Sequence, residues 1–237
     1  MSLLASMQKK SKLETAIKQI NQAIKEPNVN DVQLKQIYQT FAEVVADDLM
    51  RAQALYNWGA ALLYQGKTKT NQEAITLYKD AVTKFEFCLL MKPDYLAAAN
   101  DSGVALMDLA RLQNAVPDDV IYNQAKNQFE LANSIQAGSG SYNLACIYSL
   151  QGNEEACLQA LQEAKSKGSL PDEADILNDP DMAAVKELPW FAELITSLSQ
   201  PPEAPEETPE QMKARLEEEE KAQKKAAQKE ADNKYYS

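Results

Sequence analysis

Tyr56-Asn57-Trp58-Gly59-Ala60-Ala61-Leu62 returns twice downstream in weaker copies, as Asn100-Asp101-Ser102-Gly103-Val104-Ala105-Leu106 and as Tyr142-Asn143-Leu144-Ala145-Cys146-Ile147-Tyr148. In each copy a small residue (Gly59, Gly103, Ala145) follows an Asn or Asp by two positions and precedes a large apolar residue by three. Glycine inside a helix costs about 1 kcal/mol against alanine, so two glycines here imply the close approach of a second helix. Each copy is followed by a second apolar-periodic segment that supplies it: Ala74-x3-Tyr78-x2-Ala81, Ala125-x3-Phe129-x2-Ala132 and Cys157-x3-Leu161-x2-Ala164. Small and large residues alternating on both members of a helix pair are what a stacking helical hairpin needs.

This pattern, with Pro93-Asp94-Tyr95 joining the first unit to the second, resembles the tetratricopeptide repeat (TPR) over roughly residues 30 to 195. The resemblance implies an all-α superhelix of antiparallel helix hairpins. The period departs from the ~34 residues of the standard repeat: Gly59 to Gly103 spans 44 positions and Gly103 to Ala145 spans 42. The added residues fall at Lys67 to Thr70, in a long helix ending at Met91, and from Arg111 to Val120, so longer helices are expected.

Composition narrows the function classes. Thirty-five acidic against 24 basic residues leave a net charge of −11, which argues against nucleic acid as partner, since phosphate binding relies on Lys and Arg. No apolar run reaches the ~18 residues that a membrane-spanning helix requires. The stretch before Gln8-Lys9-Lys10 is too short for a secretory signal, and Glu14 with the lack of nearby Arg speaks against a transit peptide. The three cysteines, Cys88, Cys146 and Cys157, form no CxxC and read as reduced, buried residues of a cytoplasmic protein. Histidine is absent, which removes Ser-His-Asp and Cys-His nucleophile systems and the usual His-bearing zinc sites.

In chain order, residues 1–50 are expected to form a helical hairpin, a degenerate repeat capping the stack. Its first helix covers 11–26 with Leu13, Ala16, Ile17, Ile20, Ala23 and Ile24 on one face. Pro27-Asn28 stops it, and Asn30 or Asp31 caps a second helix carrying Leu34, Ile37, Tyr38, Phe41, Val44 and Val45. Residues 51–168 hold the TPR-like repeats, with turns expected at Gly66 and at Gly152-Asn153, and with Pro117 in the first turn of the helix it opens. Residues 169–199, through Asp179-Pro180-Asp181-Met182 and Pro189-Trp190-Phe191, look like the terminal segment of bacterial TPR proteins. The resemblance implies a cap closing the open end of the core. Residues 200–209 read as a Pro/Glu linker and 210–237 as a charged, partly helical or disordered tail.

TPR families bind peptides along the concave face made by the first helix of each pair. Carried over on Gly59, Gly103 and Ala145, the resemblance places Gln53, Tyr56, Ala60, Leu63 and Tyr64, then Ala97, Asn100, Val104, Met107 and Asp108, then Tyr142, Cys146, Ser149 and Leu150 in the groove. The cations of the clamp that grips acidic chaperone tails are missing, with Tyr56, Ala97 and Asp101 at those positions. The expected partner is therefore a protein or peptide of basic character or with apolar anchors, not an acidic tail. No Walker loop or GxGxxG appears, and the acidic pairs Asp47-Asp48, Asp118-Asp119 and Asp179/Asp181 sit where caps and turns are expected. The reading is thus a non-enzymatic interaction adaptor with no cofactor and no metal. The alternative is a holding chaperone or an assembly or translocation factor, because Leu55 to Leu62 with its long second helix also resembles the plant mitochondrial import receptor. That receptor carries a membrane anchor and no anchor is read in this chain, which weighs against the alternative.

Overall fold

The computed structural model describes residues 3–25, 30–46, 50–198, 212–213 and 221. The described part is all-α: α1 (Leu3–Lys25), α2 (Asp31–Val45), α3 (Arg51–Lys67), α4 (Asn71–Met91), α5 (Leu96–Leu112), α6 (Val120–Ile135), α7 (Ser141–Leu150), α8 (Glu154–Ser166), α9 (Glu173–Asn178), a 3₁₀ turn (Pro180–Met182) and α10 (Pro189–Leu198). Consecutive helices pair as antiparallel hairpins, α1 with α2, α3 with α4, α5 with α6 and α7 with α8, and each hairpin packs on the next. The architecture is the expected TPR-like stack with longer-than-standard repeats. The chain forms two compact units, Met1–Ala192 and Glu193–Ser237. The linker and most of the tail expected from 200 onward lie outside the described residues.

Local signals position most helix ends. Asn30, not Asp31, caps α2: its side chain accepts from Gln33 N at 3.0 Å while Gln33 Oε1 accepts from Asn30 N at 3.1 Å, a reciprocal box that satisfies two otherwise orphaned donors. Asp31 instead accepts from Lys69 at 2.8 Å and from Gln65 Nε2 at 2.9 Å. Asn153 caps α8 through Ala156 N at 3.1 Å, following Gly152 at φ +68°, so the Gly-Asn turn is where it was expected.

Three expectations need correction. The first helix begins at Leu3 rather than at 11, since neither Gly nor Pro interrupts the chain before Lys25. Pro117 precedes α6 instead of opening it; Asp119 is the cap, accepting from Ile121 N at 3.1 Å. Gly66 makes no turn. It lies inside α3, where an added Cβ would come within 2.6 Å of the Tyr78 ring, and the chain reverses after Lys67.

The Gly59 partner is also one heptad further along than the sequence alignment placed it. Tyr78 meets Gly66, and Phe85 meets Gly59; Gly103 faces Phe129 in the same way. With that register, the buried faces of α2, α4 and α6 coincide: Leu34, Tyr78 and Tyr122; Ile37, Ala81 and Ala125; Phe41, Phe85 and Phe129; each set is spaced at 44 positions. Phe41, Phe85 and Phe129 are fully buried, each contributing roughly 1.5–3 kcal/mol. The α1–α2 hairpin therefore shares the packing of the other repeats, with Ala16 buried against its neighbours and no Trp/Gly signature to advertise it.

Candidate functional site

Among the first helices of the hairpins, α3 contacts both α1 and α5, and the 3₁₀ turn contacts α7. Two cavities open among these elements. Ile20, Asn21 and Ile24 of α1, Tyr56, Asn57, Ala60, Leu63, Tyr64 and Lys67 of α3 and Asp101 of α5 surround the first, of about 540 Å³. Val104, Met107 and Arg111 of α5, Asn143 and Cys146 of α7 and Asp175, Asn178, Asp179, Pro180 and Asp181 surround the second, also about 540 Å³.

Repeat spacing organises the lining. Asn57, Asp101 and Asn143 occupy one position of the signature, two residues before the small residue. Ala60, Val104 and Cys146 follow one helical turn on and make the floor, because residues three and four apart share a helix face. Lys67 and Arg111 stand ten positions after Asn57 and Asp101, at the opposite edge. The face is thus a trough with an apolar floor, an amide and carboxyl edge, and a cationic edge.

The ends are held by hydrogen bonds. Tyr64 Oη donates to Ala23 O at 2.7 Å, tying α3 to α1. At the other end Tyr142 Oη donates to Asp179 Oδ2 at 2.8 Å and the Cys146 thiol approaches the same oxygen at 3.6 Å, while Asp179 Oδ1 caps the 3₁₀ turn through Asp181 N at 2.9 Å. Arg111 pairs with Asp108 at 2.7 Å and with the buried Asp181. Burial pushes the Cys146 thiol up, reinforced by Asp179 and Asp181, so it stays protonated. Burial likewise raises Asp101 and Asp108, opposed at Asp101 by the Tyr56 hydroxyl and at both by Lys67.

Cys146 Sγ and carboxylate oxygens of Asp179 and Asp181 lie within 4.8 Å of one another. Their chemistry suits an anchor better than a metal site: the thiol is held neutral, Arg111 neutralises Asp181, and Asp179 is engaged by Tyr142 and by the turn it caps.

Of the residues expected in the groove, Tyr56, Ala60, Leu63 and Tyr64 come together at the first cavity and Val104, Met107 and Cys146 at the second. Gln53 is exposed on α3, and its carbonyl accepts from Asn57 Nδ2 at 2.8 Å. Asn100 is half-buried with an unbonded Oδ1, and Asp108 and Tyr142 serve the contacts above. Ser149 is fully buried in α7 and lines neither cavity. Asn57 and Asn143 were not expected in the groove, and Asp101 was expected only as the residue standing where a clamp cation would be, although all three belong to the repeated signature. Their recurrence two positions before the small residue was the available signal. Nothing local announced the acids of α9 and its turn, which reach the trough only through chain reversal.

The family profile described as plant specific mitochondrial import receptor subunit TOM20 matches residues 30–149, half of the chain. The chain belongs to that family. No curated protein matches significantly. Among solved structures, the MamA RS-1 ArsTM double mutant, a TPR-like helical repeat protein, superposes with a TM-score of 0.50 at 17% identity, covering 79% of this chain and 97% of its own. That likeness speaks to the fold alone. TOM20-family membership makes the chain a protein-interaction module and overturns the cytoplasmic location expected from sequence, because the family is that of a mitochondrial receptor subunit. The weight given to an anchor was misplaced for the same reason. Among the described residues no helix is long and apolar enough to cross a membrane, and family membership stands irrespective of that.

Proposed function

We propose that this chain is a receptor subunit of mitochondrial protein import that holds a segment of the incoming precursor along the trough of α3, α5 and α7. The observation that carries the reading is the in-register lining of the two cavities: apolar side chains flanked on one edge by carbonyl and carboxylate oxygens. Such a surface fits a segment with apolar anchors and basic residues. Asp101, Asp175 and Asp179 bias it towards cations, consistent with the net charge of −11. Of the two cations on its other edge, Arg111 is already held by Asp108 and Asp181, so an acidic tail finds little to pair with. On this reading the α1–α2 hairpin and residues 51–168 form the receptor body. The part of the expected cap from 169 to 192 closes its end through Ile176, Met182 and Phe191, all buried, with Trp190 set edge-on to Phe191 at 5.8 Å.

The test is anisotropy of a fluorescein-labelled N-terminal segment of a mitochondrial precursor titrated with the full chain. Ala60→Arg combined with Val104→Arg, both half-buried positions, should abolish binding while circular dichroism stays helical. Undiminished binding by that variant would remove the trough from the mechanism.

A further inference from the structure

A cavity of about 730 Å³, larger than either in the trough, lies between α1 and α2. It is on the side of that hairpin turned away from α3. Tyr38 of α2 faces α3, stacking on Trp58 at 6.4 Å and donating to Gln65 Oε1 at 2.6 Å, and Ile20 and Ile24 of α1 border the first trough cavity. Helical spacing puts Gln19 and Gln22 of α1, and Gln33 and Gln36 of α2, on the other side, where they wall the cavity with Thr15 and Thr40. Later in the stack that side of each first helix is met by the second helix of the hairpin before it, as α2 meets α3 and α4 meets α5. We infer that here the place is taken by a second copy of the chain, two α1–α2 hairpins meeting across a two-fold axis.

Charge favours that occupant. With a net charge of −11, two copies repel each other unless they approach through a neutral surface. The lining holds one cation and one anion, Lys12 and Glu43, and they pair with each other at 2.9 Å across one end of the cavity. Its remaining members are uncharged.

Hydrogen bonding narrows the choice further. A glutamine amide carries both donors and an acceptor, so a wall of glutamines complements a copy of itself, as a two-fold contact requires. A carboxylate partner would leave the amide oxygens without donors, and an ammonium partner would leave the amide N–H groups without acceptors. The threonine hydroxyls are engaged within their own helices, Thr15 with Ser11 O at 2.9 Å and Thr40 with Gln36 O at 3.1 Å. Gln33 Oε1 belongs to the α2 cap, which leaves its Nε2 to donate. The side chains of Gln19, Gln22 and Gln36 are exposed and bond to nothing among the described residues. Buried Ala16, Ala23 and Ile37 keep the floor low, so side chains of the opposite copy can reach between the walls. From Ser11 to Ala23 the contact runs about 18 Å along α1. The trough lies on other faces, so both troughs of a pair stay open and the inference does not depend on the receptor reading.

The experiment is sedimentation equilibrium of the full chain from ~5 to ~500 µM, a range that covers weak association. The mass should rise from one chain towards two, and added salt should tighten the dimer by screening the repulsion between acidic copies. Gln19→Glu with Gln36→Glu should raise the dimer dissociation constant about tenfold or more, as should Gln19→Lys with Gln36→Lys, because each sets like charges against each other. An equimolar mixture of the two variants should pair again. Gln72→Glu, exposed on α4, adds a charge elsewhere and should leave the dimer intact. Both paired variants should keep their helical circular dichroism and the affinity of the native chain for the fluorescein-labelled precursor segment. A monomer at every concentration, a mass that grows past two chains, or association untouched by either paired variant overturns the inference. Precursor binding by a chain that stays monomeric would still uphold the receptor reading.

Discussion

Gly59 faces the ring of Phe85 so closely that a methyl group added at Gly59 would come within 2.6 Å of Phe85 Cε1. The pair explains why a helix tolerates its least favourable non-proline residue: the glycine lets α4 settle against α3 with an aromatic ring filling the space that a Cβ would occupy. Gly103 and Phe129 repeat the arrangement one hairpin later.

Gly59→Ala should therefore destabilise the chain. Overpacking costs about 1–3 kcal/mol and the helix-propensity gain returns about 1 kcal/mol, so a net loss is expected in denaturant titration. Adding Phe85→Leu should make the glycine change less costly than it is alone, and a double-mutant cycle showing no coupling would mean that the two residues do not share the space.

Phe41 lies 44 positions before Phe85 and is as fully buried. Phe41→Ala should then cost as much as Phe129→Ala, about 3–5 kcal/mol for each. Both should lower one common unfolding transition. If the Phe41 variant instead left the melting temperature unmoved, α1–α2 would not be part of the cooperative stack.

Asp101 supplies a pH dependence whose sign follows from burial. Its carboxyl is raised above the ordinary range, with burial the leading cause. The native state therefore holds a proton more readily than the unfolded chain, and this group's contribution to stability falls as pH rises through its raised value. Asp101→Asn should raise the melting temperature at neutral pH, and the advantage should shrink as pH drops toward the ordinary aspartate range. A constant difference across the titration would assign the effect to something other than the carboxylate.

The hairpins were legible in advance because their signals are short-range. A cap at Asn30 or Asp31, the turn at Gly152-Asn153 and the small-residue signature each act within a few positions, and the structure chose Asn30 through its box with Gln33. The α1–α2 hairpin was legible as a pair of amphipathic helices. Its identity as a full repeat became visible only when Phe41 fell into register with Phe85 and Phe129. The floor of the trough was also readable, since Ala60, Val104 and Cys146 follow directly from aligning the repeats.

Local sequence determines where this chain is helical and that its helices pair, because hydrogen-bonding to the fourth residue along, capping and the spacing of apolar side chains are settled within a turn or two. Tertiary packing alone decides which residues meet. It brings Phe85 rather than Tyr78 onto Gly59, and Arg111 onto Asp181 across 70 positions of chain. It also sets Asp179 beside Tyr142 and Cys146. Two heptads of one helix offer nearly the same apolar face to a neighbour, and a charge can be satisfied by any opposite partner within reach. Only the best joint packing of all the hairpins distinguishes these choices, and no window of sequence contains it.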